Sequence, residues 1–376
     1  NIIAMELSKN KKLDTSRSIL KVRSMKQVMS DAKNQKIPPK LFGDLWKTGD
    51  LCILFSATNV GKTVLGFQIA DAISSGMQPL PDSNLVNESK PLKTLYVDVE
   101  MSDIQISQRY KGYDFSTDNF LRADWEKDFR FKPGDDLEEL VNKDIAKFVD
   151  THKIQALIID NLTVLKTGTE TSKEAVPLMW SLQRLGRDKN ISILVIGHTP
   201  KVDQYSPITI NHLQGSAGIS RALDSAFCIG RVRDDENLRY IKEVKQRVGS
   251  FTYGKSNVIV CEIDKPLNFT GFFFRRHENE MNCLNPITED VELNALNQIL
   301  KLNKQGKSLR EIANVSPYGK DKVNQIIKEH TDRAVDSDND DNKDSADNAI
   351  EIGFTEVSEV SGVSEMTEQT TVSANK

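Results

Sequence analysis

Cysteine is scarce in this chain, long apolar runs are missing, and net charge is small; each shortage narrows the reading. The four cysteines, Cys52, Cys228, Cys261 and Cys283, are scattered without Cys-x-x-Cys spacing. That sets aside a disulfide framework and leaves buried, reduced thiols, with a cytoplasmic compartment as the expectation. No apolar stretch approaches the ~18 to 20 residues that cross a bilayer, and the start has neither the apolar core nor the cleavage site of a signal peptide. No membrane partner and no export are expected. The net charge of -4 conceals an asymmetry: residues 331–376 hold twelve Asp and Glu against three Lys and Arg, a local charge of -9 that leaves +5 on residues 1–330. A mildly basic body permits nucleic-acid binding without requiring it. No internal repeat is present.

What is there is a chain of 376 residues, 38% hydrophobic and 28% charged, long enough for one large domain with smaller appendages. Residues 1–36 are polar and Lys-rich and read as a flexible or partly helical basic arm, which Pro38 and Pro39 end. Residues 37–280 alternate apolar strand-like runs with helical patterns, predicting an α/β domain with a mostly parallel twisted sheet flanked by helices. The expected strands are 51–55, 94–99, 156–159, 191–196, 225–229, 239–245, 257–262 and 271–275. The last three are separated by short Gly-containing turns and read as antiparallel additions at one edge. Residues 289–330 turn helical, and 331–376, rich in Asp, Asn, Ser, Glu and Thr, read as a disordered acidic tail.

The sharpest motif follows the first long strand. Ser56-Ala57-Thr58-Asn59-Val60-Gly61-Lys62-Thr63 lies between an apolar strand and the amphipathic helix opening at Val64, which Gly76 stops. Strand, loop and helix in this order aim successive backbone N–H groups and a helix N-terminus at an anion, here the phosphates of ATP. Gly61 lets the backbone approach, Lys62 reaches the β- and γ-phosphates, and Thr63 offers a hydroxyl to Mg²⁺. The motif's leading glycine is Ser56 here, so the turn must form there without an easy positive φ.

Three more strand ends carry polar groups. Tyr96-Val-Asp-Val-Glu100 places Glu100 where a carboxylate can orient the water that attacks the γ-phosphate; the bland alternative is that it caps the next helix, and Asp98, on the opposite face, is the weaker candidate. Leu157-Ile-Ile-Asp160 ends in a carboxylate placed to hold Mg²⁺ opposite Thr63. Ile193-Leu-Val-Ile-Gly-His198 ends in a histidine that either reports the γ-phosphate or is structural.

Together these strand ends resemble the RecA-like ATPases, in the branch of hexameric replicative helicases of the DnaB and plasmid RepA type. The likeness covers about Lys40 to Arg276 and is most specific at Leu95-Tyr-Val-Asp-Val-Glu-Met-Ser-Asp, with Asp160-Asn-Leu-Thr, Gly197-His-Thr-Pro-Lys and the segment Gln214–Asp224 also similar. The resemblance implies a RecA-like P-loop NTPase fold, ATP and Mg²⁺ as cofactors, and a homo-oligomer, favouring a hexamer, that grips single-stranded DNA in its channel through loops 163–174 and 200–218. Those loops hold only Lys166, Lys173 and Lys201 as cations. Glu243-Val-Lys-Gln-Arg247-Val-Gly is similar to the segment whose cations reach the neighbouring subunit's nucleotide, so Lys245 and Arg247 would act in trans. The alternative is two solvated charges on an edge hairpin.

In the last domain, Ser308-Leu-Arg-Glu311 is a capping box between two helical patterns, and a third pattern follows the turn at Pro317 and Gly319. The arrangement resembles a helix-turn-helix, with Lys320, Lys322, Asn324, Gln325 and Lys328 facing outward toward duplex DNA; a plain three-helix packing module is the alternative. The leading expectation is an ATP-driven DNA motor serving replication or mobilisation. A regulatory RecA-like switch and a recombinase-like filament former are its rivals.

Overall fold

The computed structural model describes residues 22–33, 35–130, 132–162, 172–200, 203, 205–213, 216–233, 235–285 and 289–340. Its strands are β1 (Lys40–Phe42), β2 (Trp46–Lys47), β3 (Leu51–Ser56), β4 (Thr94–Asp98), β5 (Phe120–Ala123), β6 (Ala156–Asp160), β7 (Ser192–His198), β8 (Ser225–Arg231), β9 (Leu238–Gln246), β10 (Val258–Asp264) and β11 (Gly271–Glu278). Its helices are α1 (Met25–Lys33), α2 (Lys62–Ser75), α3 (Asp103–Arg109), α4 (Leu137–His152), α5 (Ser172–Lys189), α6 (Ser216–Ala222), α7 (Glu280–Leu284), α8 (Glu289–Lys304), α9 (Leu309–Val315) and α10 (Lys320–Asp340). Residues 1–327 form one unit, which holds the sheet, and residues 328–376 a second, described only along α10.

The main sheet runs β11-β10-β9-β8-β3-β7-β6-β4-β5. From β8 to β5 every pair is parallel, and β9, β10 and β11 add on antiparallel. This is an α/β fold with a mixed sheet, as the spacing of apolar runs predicts. Edge strand β5 escapes the sequence reading because it is four residues long and only half-buried. The β1–β2 ribbon is shorter still.

Central strands apolar on both faces need cover on both, and alternate residues go to different cores. Ile53, Phe55, Leu157, Ile159 and Val195 pack with Ile145 of α4 and Leu178 of α5. Leu54, Ile158, Leu194 and Ile196 pack with Leu65, Ile69 and Ile73 of α2 on the other face. All four cysteines are buried and unpaired.

Helices α8, α9 and α10 surround a small core of Ala295, Ile299, Ile312, Ala313, Tyr318 and Val323. Ser308 and Glu311 form the expected capping box at α9. Two expectations change here. Lys320 does not face outward: its Nζ pairs with Asp264 at 2.6 Å. Its backbone N–H donates to Glu262 (2.9 Å) and that of Gly319 to Asp235 (2.8 Å), so acids of the sheet edge cap α10. Helix α10 also continues to Asp340, into the stretch read as a tail, because extending a nucleated helix costs less than starting one. The expectations for residues 1–21 and 341–376 lie outside the described residues.

One close approach fixes the β8–β9 hairpin. Gly230 lies opposite Tyr240, and a Cβ there would sit 2.1 Å from the buried tyrosine ring. Gly230→Ala should therefore destabilise the fold by about 3 kcal/mol through overpacking, measured as a lower urea midpoint at unchanged slope.

Candidate functional site

The C-terminal ends of β3, β7, β6 and β4 lie side by side, Ser56 level with His198 and Asp98 level with Asp160. In a parallel sheet this is the edge where ligands bind. Between β3 and α2 the loop makes its tight turns at Asn59 (φ 58°) and Gly61 (φ 110°). Ser56 is a buried strand residue and not among the positive-φ positions, so replacing the leading glycine costs no backbone strain; its hydroxyl donates to the Ala57 carbonyl at 2.9 Å. Gly61 is required twice over, by its dihedral and because a Cβ would stand 2.9 Å from Phe272 and 3.1 Å from Ile263.

Lys62 is 7% exposed, and its Nζ donates to the carbonyls of Ala57 (2.9 Å) and Ser56 (3.2 Å). Burial pulls the ammonium down to about 8, against the nearby charges of Asp160 and Glu100. Asp160 is pushed up to about 6, first by burial; hydrogen bonds from the Thr63 and Tyr96 hydroxyls oppose the shift, and Asp98 and Glu100 add to it. The Tyr96 bond measures 2.8 Å. His198 is held below its usual range by burial and by Lys62, which keeps the imidazole neutral near pH 7.

Glu100 is exposed and accepts from the Asn161 side chain. It does not cap α3, which carries its own box of Ser102 and Gln105. Asp98 is engaged within its own turn, where Oδ1 accepts from the N–H groups of Glu100 (3.0 Å) and Met101 (3.1 Å), and Oδ2 pairs with Arg122 (3.3 Å). Arg122 also donates to the carbonyls of Asp98 and Met101. The turn that presents Glu100 is thus tied at both ends.

Thr58, Asn59, Gly61, Lys62, Thr63, Val64, Glu100, Asp160 and His198 line one cleft of 380 Å³, joined by Arg109 from the end of α3 and Ile263 from β10. Ser56, Ala57 and Val60 complete the loop behind it. Arg109, Arg122 and Ile263 carry no signal in the sequence, since none of them is the polar end of a buried apolar run or part of a glycine motif. Lys245 and Arg247 are not brought to the cleft. Ser225 pairs with both Cys52 and Gln246, which sets Arg247 level with Leu51, five residues from Ser56 and roughly 17 Å away along the sheet. There Arg247 pairs with Asp224 (3.0 Å) and donates to the carbonyls of Leu223 and Arg221. Lys166 and Lys201 lie outside the described residues, as does the side chain of Lys173.

Such a loop, backed by an ammonium group and faced by strand-end carboxylates on an α/β sheet, defines a nucleotide-binding and nucleotide-hydrolysing P-loop ATPase domain. The chain belongs to the AAA domain family, whose pattern it matches over residues 17–204. No curated protein matches it. Removing the buried ammonium should be decisive: Lys62→Ala is expected to weaken ATP binding by at least about a hundredfold, read by calorimetry, because it deletes a charge-assisted phosphate contact.

Proposed function

We propose that this ATPase is a DNA motor of the hexameric-helicase kind, serving replication or mobilisation of a plasmid or mobile element. The observation that carries the reading is the separation of charges: the cleft gathers at one edge of the sheet, while Lys245, level with Ile53, and Arg247, level with Leu51, lie away from it toward the other. Cations so placed serve another copy's nucleotide, which implies a ring, a hexamer being the form favoured.

In this reading Lys62 and the loop N–H groups hold the β- and γ-phosphates. Glu100 orients the attacking water and takes its proton as the oxygen bonds the γ-phosphorus and the bond to the β–γ bridging oxygen breaks, leaving ADP and phosphate. His198, neutral and level with Ser56, hydrogen-bonds the γ-phosphate and passes its loss to the segment beyond Thr199. The hydroxyl of Thr63 and the carboxylate of Asp160 converge at the cleft, an all-oxygen set that fits Mg²⁺, which would neutralise charge on the transferring phosphate. The loops beyond β6 and β7 would meet single-stranded DNA.

Glu100→Gln should lower turnover by about 10²- to 10³-fold while ATP affinity stays within about threefold. Lys62→Ala and Arg247→Ala should each lose DNA-stimulated turnover, and mixing them should restore part of it, because one copy then supplies the cleft and its neighbour the guanidinium. Full turnover by Arg247→Ala alone would remove the trans role.

A second reading, a nucleotide-controlled switch, is favoured by the clamp on α10. Glu262 and Asp264, which hold Lys320, flank Ile263, which lines the cleft. On this reading the nucleotide state frees residues 289–330 for duplex DNA. Asp264→Asn combined with Asp235→Asn should then raise duplex affinity by about tenfold and erase its dependence on ATP, since two charge-assisted contacts are lost. The motor reading expects no change in that assay.

A further inference from the structure

A loop that offers its N–H groups to phosphate must turn its carbonyls away and satisfy them elsewhere. The carbonyls of Ser56 and Ala57 accept from Lys62, and that of Gly61 from Leu65 in the first turn of α2. The two at the apex go to neither. The Asn59 carbonyl accepts from the Arg231 guanidinium at 2.9 Å, and the Val60 carbonyl from Nε of Arg239 at 3.1 Å. Arg231 ends β8 and Arg239 is the second residue of β9, directly opposite it in the register.

That arrangement is costly by itself. Like charges at directly opposed positions of an antiparallel pair repel. Arg239 is only 6% exposed, and its donors go to carbonyls: Val60, Glu236 (2.5 Å) and Leu238 (2.7 Å). No carboxylate forms an ion pair with either arginine among the described residues. Burial foremost, then Arg231, draws the Arg239 guanidinium down to about 10, against the charges of Asp235 and Glu236. A buried cation without a paired anion is expensive to keep unless a ligand supplies the counter-charge. What lies across the loop from both arginines is the cleft where a triphosphate would sit.

We infer that Arg231 and Arg239 are positioning residues of the phosphate loop: they hold the Asn59 and Val60 carbonyls outward, so that the apex amides face the phosphates, and their charge is compensated by bound triphosphate. The inference rests on the ATP site proposed above and extends it to the antiparallel part of the sheet. It also gives the β8–β9 hairpin a purpose, since Gly230 and Tyr240, packed face to face beside the pair, fix the hairpin's register.

The test compares Arg239→Met, Arg231→Met and Arg239→Lys with the whole wild-type chain, using calorimetry with ATP and with inorganic tripolyphosphate, thermal unfolding without ligand, and steady-state turnover. Arg239→Met should weaken ATP and tripolyphosphate by the same factor, about thirtyfold, as expected for loss of a charged hydrogen bond at the loop. KM should rise in step while kcat changes by less than about threefold, and unliganded thermal stability should fall only slightly, because relief of a repulsion and of a buried charge offsets the Val60, Glu236 and Leu238 carbonyls left without a donor. Arg231→Met should show the same parallel loss at about fivefold, and Arg239→Lys should recover part of the affinity, since an ammonium restores charge but not the fork. Should Arg239→Met not fold, Arg231→Met decides. Wild-type affinity for tripolyphosphate in the folded methionine variants would overturn the inference, as would a loss confined to ATP, which would place the arginines on the base. Failure of wild-type protein to bind either ligand would instead strike the ATP site itself.

Discussion

The structure depends on one constraint: a short run of backbone must present donors on one side and dispose of acceptors on the other, within a water-poor edge of a sheet. An isolated strand–turn–helix can cap the helix end, but it cannot satisfy apex carbonyls that point back into protein. Here Lys62 closes the entrance of the loop, the first turn of α2 closes its exit, and two guanidinium groups close the apex. Phe272 and Ile263 then fill the space beneath Gly61 that any side chain would occupy. The antiparallel strands are therefore part of the cleft's construction and not merely an extension of the sheet.

Charge is balanced in the same compact way. Asp98, Glu100 and Asp160 converge on one sheet edge, and three carboxylates so close would repel one another if each were left to solvent alone. Asp98 is absorbed by Arg122 and two backbone N–H groups, which turns it from a competitor into the anchor of the turn below Glu100. Asp160 has hydroxyl partners that oppose the shift only in part, so burial keeps its carboxyl raised. Lys62, lowered by burial, stands between Asp160 and Glu100. Lys62 and Asp160 are each shifted by burial toward the neutral form, so a change in neighbouring charge alters their protonation, which suits a site that must accept and release a polyanion.

Much of this was legible in the sequence because buried parallel strands write themselves as unbroken apolar runs, and the polar residue that ends each run marks the ligand edge. Ser56, Glu100, Asp160 and His198 were found that way, and the capping box at Ser308 by its spacing. Arg122, Arg231 and Arg239 were not, because their partners are main-chain carbonyls and remote carboxylates, and such contacts impose no period and no motif. Arg239 and Val60 are 179 positions apart. Lys320 misled for a related reason: on its helix it reads as solvent-facing, and only the acids of β10 draw it in. Ser56 misled in the opposite sense. The loss of the leading glycine looked like a strain, yet the strand simply runs one residue further and leaves the left-handed turns to Asn59 and Gly61.

The sheet then separates two kinds of cation by place. Arg231 and Arg239 stand at the C-terminal edge of the parallel strands, bonded to the loop of their own chain, and no movement of a neighbour is needed to bring them into use. Arg247, at the opposite edge, spends its hydrogen bonds on Asp224 and the carbonyls that precede β8. An exposed guanidinium such as that of Arg247 can exchange its partners at modest cost, whereas a buried one cannot. The difference in burial thus follows the difference in partners: Arg239, buried, and Arg231, half-buried, hold carbonyls of the loop, while the exposed Arg247 holds those that precede β8.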